Sequence, residues 1–297
     1  MIINQTSLQT LFTGFKANFQ QGLSQHKAQW DRVATRVNSG TRTDEYGWLG
    51  QMPNLREWLG DRVVNSIKQH GYSITNRKFE LTIGVEVDDI KDDMHGVYAP
   101  LFTEMGRSTA AHPDQLVWNL LTAGFSTACY DGQYFFDSDH PVILADGSEG
   151  VVANTDGGSG TPWFLIDTNR ALKPIIYQVR EEGPFVRIDR DTDEVVFNTD
   201  KYVYGIKRRS NVGFGFWQFA WGSKQTLSAT TYKLARESLM GMKGDHGRPL
   251  GLMPNLLVVP PSLESQGLEL LNAERNAAGA TNIYKGTAEL LVVPWLA

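Results

Sequence analysis

At 297 residues, with 41% hydrophobic and 21% charged side chains, the chain is long enough to bury a substantial core and too apolar to be disordered throughout. A net charge of −5 and a pI near 5.7 exclude a protein whose main work is gripping phosphate backbones. Cys129 is the single cysteine, so no internal disulfide is possible; the Met-Ile-Ile-Asn start lacks the basic and apolar regions of a secretory signal, and no apolar run approaches the ~20 residues of a membrane span, so a cytosolic product is expected.

Behind Ser7, a good N-cap, Leu8, Leu11, Phe12, Phe15 and Phe19 recur at helical spacing until Gly22, which predicts an amphipathic helix. Trp30, Val33, Ala34 and Val37 repeat the period up to Asn38-Ser39-Gly40 and predict a second one. Lys16, Lys27, Arg32, Arg36 and Arg42 outweigh Asp31 over this stretch. The arm is therefore basic on an acidic body, and its charged face is either solvated or turned toward an acidic neighbour.

The next stretch, YGWLGQMPNLREWLGDRVV from Tyr46 to Val64, carries Trp48 and Trp58 with little hydrophobic sequence around them to cover them. Asn54 with Glu57 resembles a capping box, and Leu55, Leu59, Val63 and Ile67 mark one helix face until Gly71. Burying both tryptophans is worth roughly 8 to 12 kcal/mol gross. Fixing the backbone of the segment costs on the order of 20 to 40 kcal/mol, so the aromatics need a surface to press on. That surface belongs either to this chain's own sheet or to another chain. Tryptophan and arginine are typical interface anchors, which favours a neighbour touched by Trp48, Leu49, Pro53, Arg56, Glu57, Trp58 and Arg62. Phe12, Phe15, Lys16, Phe19 and Trp30 are the corresponding candidates on the arm.

Phe79, Leu81, Ile83, Val85 and Val87 alternate with polar residues and glycine, the period of a strand with one buried side. Glu86, Asp88, Asp89, Asp92 and Asp93 then suit a helix N-terminus ahead of Tyr98, Leu101, Phe102 and Met105. Pro113 and Asp114 fit a first turn before Leu116, Val117, Leu120 and Leu121, so a long helix kinked near His112 and ended by Gly124 is expected. From Cys129 to Pro162 the text reads as loops. KPIIYQV, FVRI, EVVF, KYVYGI and GFGFWQFAW then predict strands of an antiparallel sheet. A helix over Tyr232 to Met242, the run NLLVVP, a helix from Ser262 and the run ELLVVP predict a helix-flanked sheet.

Chemistry leaves few marks. Asp189 to Asp200 opens like a calcium loop, but Glu194 replaces its glycine and Asp200 its final glutamate, so a turn is expected. Cys129, Asp137, Asp139 and His140 are the residue types of a nucleophile-base set or a partial zinc site, and equally of a packed thiol beside a turn. The chain carries no HExxH pair, phosphate-binding glycine loop or nucleophile elbow, so no cofactor or metal is expected.

WLGQMPNLREWLGDR, GVYAPLFTEMGRSTAAHPDQLVWNLL, CYDGQYFFDSDHP, YGIKRRSNVGFGFWQFA and PNLLVVPPSLE together resemble the major head subunit of Mu-like tailed bacteriophages. The resemblance implies the α+β HK-97-type capsid fold. Its parts would be an N-terminal arm over 1–45, an extended E-loop region over 46–90, a P-domain over 91–221 with a spine helix at about 97–121, and an A-domain-like helix/strand/helix unit over 222–297. In the usual order that last unit precedes strands such as WFLID and YGIKRR; here it follows them. The resemblance also implies a structural, non-enzymatic virion protein. Its copies would form hexamers and pentamers in the host cytoplasm with a scaffold protein, meet portal and decoration proteins, and touch packaged double-stranded DNA weakly. The rivals are a soluble hydrolase around Cys129 and His140, and a tail or baseplate component.

Overall fold

The computed structural model describes residues 4–49, 71–92, 94–276 and 278–297. Helix α1 spans Gln5–Gln25 and is capped by Asn4, whose Oδ1 accepts from the Ser7 N–H at 2.8 Å while Ser7 Oγ accepts from the Asn4 N–H at 2.9 Å. Gly22, the expected stop, lies inside this helix because its missing side chain serves packing. The second predicted helix does not form. Trp30–Arg32 makes one 3-10 turn, and Ala34–Asn38 is a strand, β1. Three apolar residues at 33, 34 and 37 fit either period, and pairing with a buried neighbouring strand decides the matter.

Strands β2 (Thr43–Glu45) and β3 (Ser73–Thr75) pair antiparallel, and β4 (Arg77–Glu86) follows as its alternation predicts. Short helix α2 (Val87–Lys91) has Asp88 and Asp89 in its first turn, where the helix dipole favours them. Helix α3 then runs unbroken over Ala99–Ala123 with Pro113 inside it. Proline removes one helix hydrogen bond and orphans the Thr109 carbonyl; Arg208 Nη1 donates to that oxygen at 2.7 Å, which compensates for the loss.

The stretch read as loops contains β5 (His140–Ile143), β6 (Glu149–Val152) and β7 (Thr155–Gly158), and ahead of these residues 129–139 form turns and bends. Next come β8 (Trp163–Ile166), β9 (Ile175–Glu182) and β10 (Val186–Ile188). EVVF is not a strand but part of helix α4 (Glu194–Thr199), which Asp200 ends in the left-handed region at φ 53°. With only Val196 buried, β-branched composition had no sheet face to occupy. Strand β11 (Lys201–Phe214) is long; a 3-10 turn at Trp217–Phe219 then interrupts the predicted GFGFWQFAW strand before β12 (Ala220–Lys224). Helix α5 (Ala229–Met240) is capped by Ser228. The minimal pair β13 (Lys243–Gly244) and β14 (Arg248–Pro249), strand β15 (Leu256–Val259), helix α6 (Glu264–Leu271) and strand β16 (Glu289–Val292) complete the chain.

One sheet has the order β1-β9-β11-β10, with β4 paired along the first part of β11. It is mixed rather than purely antiparallel, because β1 lies parallel to β9. β11 is paired with β4 up to Ser210 and with β9 from Arg208 on, and a bulge in the latter pairing at Arg209/Ser210 leaves Arg180 unmatched. The other sheet has the order β16-β15-β8-β12-β7. Its middle strand β8 precedes β9, β10 and β11 of the first sheet in the chain, so residues 222–297 do not close a sheet alone.

Helix α3 serves both cores. Phe102 and Met105 join α1, Val85, Phe185, Tyr202 and Tyr204 in the smaller one. Val117, Trp118 and Leu121 join the larger one with β8, β15 and α5. Against α3, helix α1 approaches so closely that a Cβ at Gly22 would sit 1.8 Å from the Thr103 carbonyl oxygen, and one at Gly106 would sit 2.1 Å from that of Phe19. Gly106→Ala is expected to lower subunit stability by about 1–3 kcal/mol through overpacking, read by chemical unfolding of the monomer. Unchanged stability would mean that the two helices do not touch there.

Candidate assembly surfaces and a buried polar cluster

The arm's aromatic residues are used within the subunit. Phe15 stacks on Phe102 at 4.2 Å and meets Tyr204 edge-on at 5.3 Å. Phe19 and Phe12 both stack on Phe185, at 5.0 and 5.5 Å. Phe15 and Phe19 are buried in this chain's own core, which corrects their reading as surface for a neighbour; Phe12 is half-buried beneath the Arg187 guanidinium. Trp30 is half-buried and edge-on to Tyr177. Lys16 stays exposed. Spacing along a helix says which side chains hide, and the glycine contact with α3 decides where.

A residue whose role sequence reasoning missed anchors the arm's exit. The Asp114 carboxylate, fully buried, accepts from the Gln29 N–H at 2.9 Å, the Trp30 N–H at 2.6 Å and Trp118 Nε1 at 3.2 Å, and pairs with His26 Nε2 at 2.6 Å. Its sequence signal, an acid just after Pro113, reads equally well as ordinary helix-start chemistry. Arg32 forms a two-pronged bridge to Glu289 at 3.0 and 2.6 Å, tying the arm to the last strand. Between α1, α3 and the β9–β11 face lies a groove of about 510 Å³, with Lys16, Gln20, Arg36, Trp30 and Glu182 among its lining. Beside it His112 meets the Phe79 ring edge-on at 4.2 Å. Burial, and then the Arg208 charge, push the His112 pKa down from 6.5 to about 4.

The β2–β3 pair forms a stem that holds both ends of segment 50–70. Thr43 and Thr75 hydroxyls meet at 2.9 Å, and Tyr46 donates to Gln178 Oε1 at 2.7 Å while Gln178 Nε2 donates to the Ile74 carbonyl at 3.1 Å. Leu49 is fully buried in this chain's core, so it has no surface left for a neighbour, contrary to its reading as a contact residue. Trp48 keeps 37% of its surface exposed although it lies against Tyr46 and Phe216. Pro53, Arg56, Glu57, Trp58, Arg62 and the helix expected from Asn54 to Gly71 lie outside the described residues.

Cys129 and His140 are close but do not make a nucleophile-base pair, because Asp131 stands between them. The thiol donates to Asp131 Oδ1 at 3.1 Å, and Asp131 Oδ2 lies 2.7 Å from His140 Nδ1. Burial first, and then the Asp131 charge, push the Cys129 thiol well above its ordinary pKa, the opposite of nucleophile activation. Asp137 Oδ2 accepts from the Tyr134 N–H at 3.2 Å as turn chemistry, and Asp139 is exposed. In the calcium-like stretch Asp191 accepts from the Tyr202 hydroxyl at 3.0 Å and Asp189 pairs with Arg187 at 3.0 Å. No described helix is long and apolar enough to cross a membrane.

These features, two sheets about a shared long helix and, among the described residues, a Cys129 thiol held away from nucleophile activation, suit a building block. Two solved structures carry the same fold from end to end. The procapsid of bacteriophage JBD30 matches with a TM-score of 0.87 at 44% identity, covering 99% of this chain and 100% of that one. The JBD30 capsid matches with a TM-score of 0.79 at 33% identity, covering 100% of each. The fold is thus the HK-97-like fold of phage capsid subunits. A family model described as the Mu-like prophage major head subunit gpT matches residues 8–296. The chain is 41% identical over 305 residues to the major capsid protein of Escherichia phage Mu, covering 100% of both. It is 46% identical over 277 residues to the Mu-like prophage FluMu major head subunit of Haemophilus influenzae, covering 91% of this chain and 90% of that one. The chain belongs to the Mu-like major head subunit family. It is a major capsid protein, a structural and non-enzymatic component of a phage virion that associates with itself into a shell.

The depressed His112 pKa has a consequence for acid stability. The unfolded chain takes up this proton near 6.5 and the folded one only near 4, so the unfolded state binds more protons between those values and stability falls as pH drops through that window. His112→Phe is expected to flatten this part of the profile, measured by urea unfolding from pH 7 to pH 4. An unchanged slope would assign the acid loss to other groups.

Proposed function

We propose that copies of this chain close an icosahedral shell of hexamers and pentamers around double-stranded DNA, each subunit gripping its neighbour through the segment between β2 and β3. The observation that carries the reading is Trp48, left 37% exposed beside a rigid stem although its own chain offers it Tyr46 and Phe216. A large aromatic surface left open at a fixed exit point is what an adjacent subunit covers. In this reading residues 46–90 form the E-loop region, with Trp58, Arg56, Glu57, Arg62 and Pro53 meeting the next subunit. The arm over 1–45 keeps its aromatic face at home and presents the exposed Lys16, Lys27, Arg36 and Arg42 outward.

Those cations suit an acidic partner: a scaffold protein during assembly in the host cytoplasm, and then packaged DNA by weak, salt-dependent contact. Strands β9, β10 and β11 of the first sheet with α3 correspond to the P-domain of 91–221, to which the arm adds β1 and the E-loop region adds β4. The second sheet is the core of the A-domain of 222–297, into which β7 and β8 are drawn from earlier in the chain. Portal contact at one vertex completes the shell. One related JBD30 capsid is described as decorated with minor capsid protein trimers, and a comparable decoration would fit an outer surface here.

Trp58→Ala is expected to leave a folded monomer by circular dichroism while closed particles disappear from negative-stain micrographs, a loss of about 2–4 kcal/mol at each interface. An unfolded monomer would place Trp58 in the subunit's own core and remove the proposal. Wild-type tubes or rings in place of closed particles would favour the tail reading.

A further inference from the structure

The chemistry that a shell does not require is concentrated in one place. Cys129, Asp131 and His140 bring a sulfur, a carboxylate oxygen and a ring nitrogen within 4.8 Å of one another. The turn from Cys129 is closed by its N–H donating to the Gln133 carbonyl at 2.8 Å, with Gly132 at φ 91°, so that thiol and carboxylate face the same side. His140 opens β5 and is fully buried, its ring stacked on Trp217 at 3.9 Å.

The orientation of that ring is settled by Asn154. Its Nδ2 donates to the carbonyls of Phe135 at 2.8 Å and of Trp217 and Ala220 at 3.3 Å, and its Oδ1 accepts from the Asp137 N–H at 2.9 Å. The amide therefore cannot flip, and the atom facing His140 Nε2 at 3.2 Å is an acceptor. Nε2 must carry hydrogen. Nδ1, 2.7 Å from Asp131 Oδ2, then faces a carboxylate, and a positive charge has to lie between them. That charge is either a proton shared between them or a metal ion.

We propose that Cys129, Asp131 and His140 form a site for a borderline-soft divalent cation, zinc being the natural occupant. Thiolate with imidazole selects such an ion over magnesium or calcium. Sγ, Nδ1 and a carboxylate oxygen of Asp131 supply three donors, one from each residue, and a water completes the four-coordination that zinc prefers. Asn154 supplies the outer hydrogen bond that fixes a ligating histidine. The exchange balances: one divalent ion enters, the thiol proton and the Nδ1 proton leave, and the cluster stays neutral. Bound there, the ion would staple the turn after α3 to the β5–β6 pair and, through Asn154, to the backbone before β12.

The test is titration of the full-length chain with cobalt(II), independent of how subunits meet. The expected result is a thiolate-to-cobalt charge-transfer band that saturates at one equivalent per chain, release of two protons per metal in weak buffer, and displacement by zinc. Cys129→Ala should abolish the band, and Asn154→Ala should weaken binding about 10–100-fold. The wild-type band and proton count decide the matter even if a variant fails to fold. Absence of the band at one equivalent, or equal metal uptake by a folded Cys129→Ala protein, would overturn the site and leave a cluster held by protons alone.

Discussion

The Asp114 carboxylate is withdrawn from water at the middle of α3, and an anion is tolerated there only because two backbone N–H groups, an indole and an imidazole converge on it. All but the indole, which Trp118 supplies from α3, come from the residues where the arm leaves α1 and turns toward β1. One side chain therefore fixes the arm's exit against the helix that both cores share. Removing it would strand several buried donors at once, so the arrangement is kept or lost as a unit.

With the arm pinned, the neighbouring contacts follow. Gly22 and Gly106 allow α1 and α3 to touch through their backbones, and Phe15 and Phe19 are carried into the smaller core. The arm that could have offered an aromatic stripe to another molecule instead completes its own subunit. On the arm and at the stem, what stays exposed among the described residues is charge along the arm and part of Trp48. Strong internal packing with a few anchored outlets suits a shell subunit, which must stay rigid itself while adapting its outer segments to slightly different surroundings.

The two sheets show a second division of labour. Strand β11 couples β4, beside the stem, to β9 and β1, beside the arm. Strand β8 sits in the middle of the other sheet although it precedes β9 to β11 in sequence. The chain thus crosses between its two halves more than once.

Long periodic segments were legible from sequence alone: α1, β4, α3 and α5 each repeat one period often enough to exclude the other, KYVYGI marks the start of β11, and the quoted motif blocks carried the family. Short ones were not. Residues 33 to 37 and EVVF hold too few apolar positions to separate helix from strand, so β1 took its identity from β9, and EVVF, with only Val196 buried, became part of α4. Asp114 looked like a helix-start acid, and Asp131 attracted no notice beside Cys129 and His140, because their partners are distant in sequence or depend on which way a turn faces. Hydrophobic burial is non-directional. The sequence by itself determined which side chains must leave water; only tertiary structure decided whose surface receives them, sending Phe15, Phe19 and Leu49 inward and leaving part of Trp48 outside.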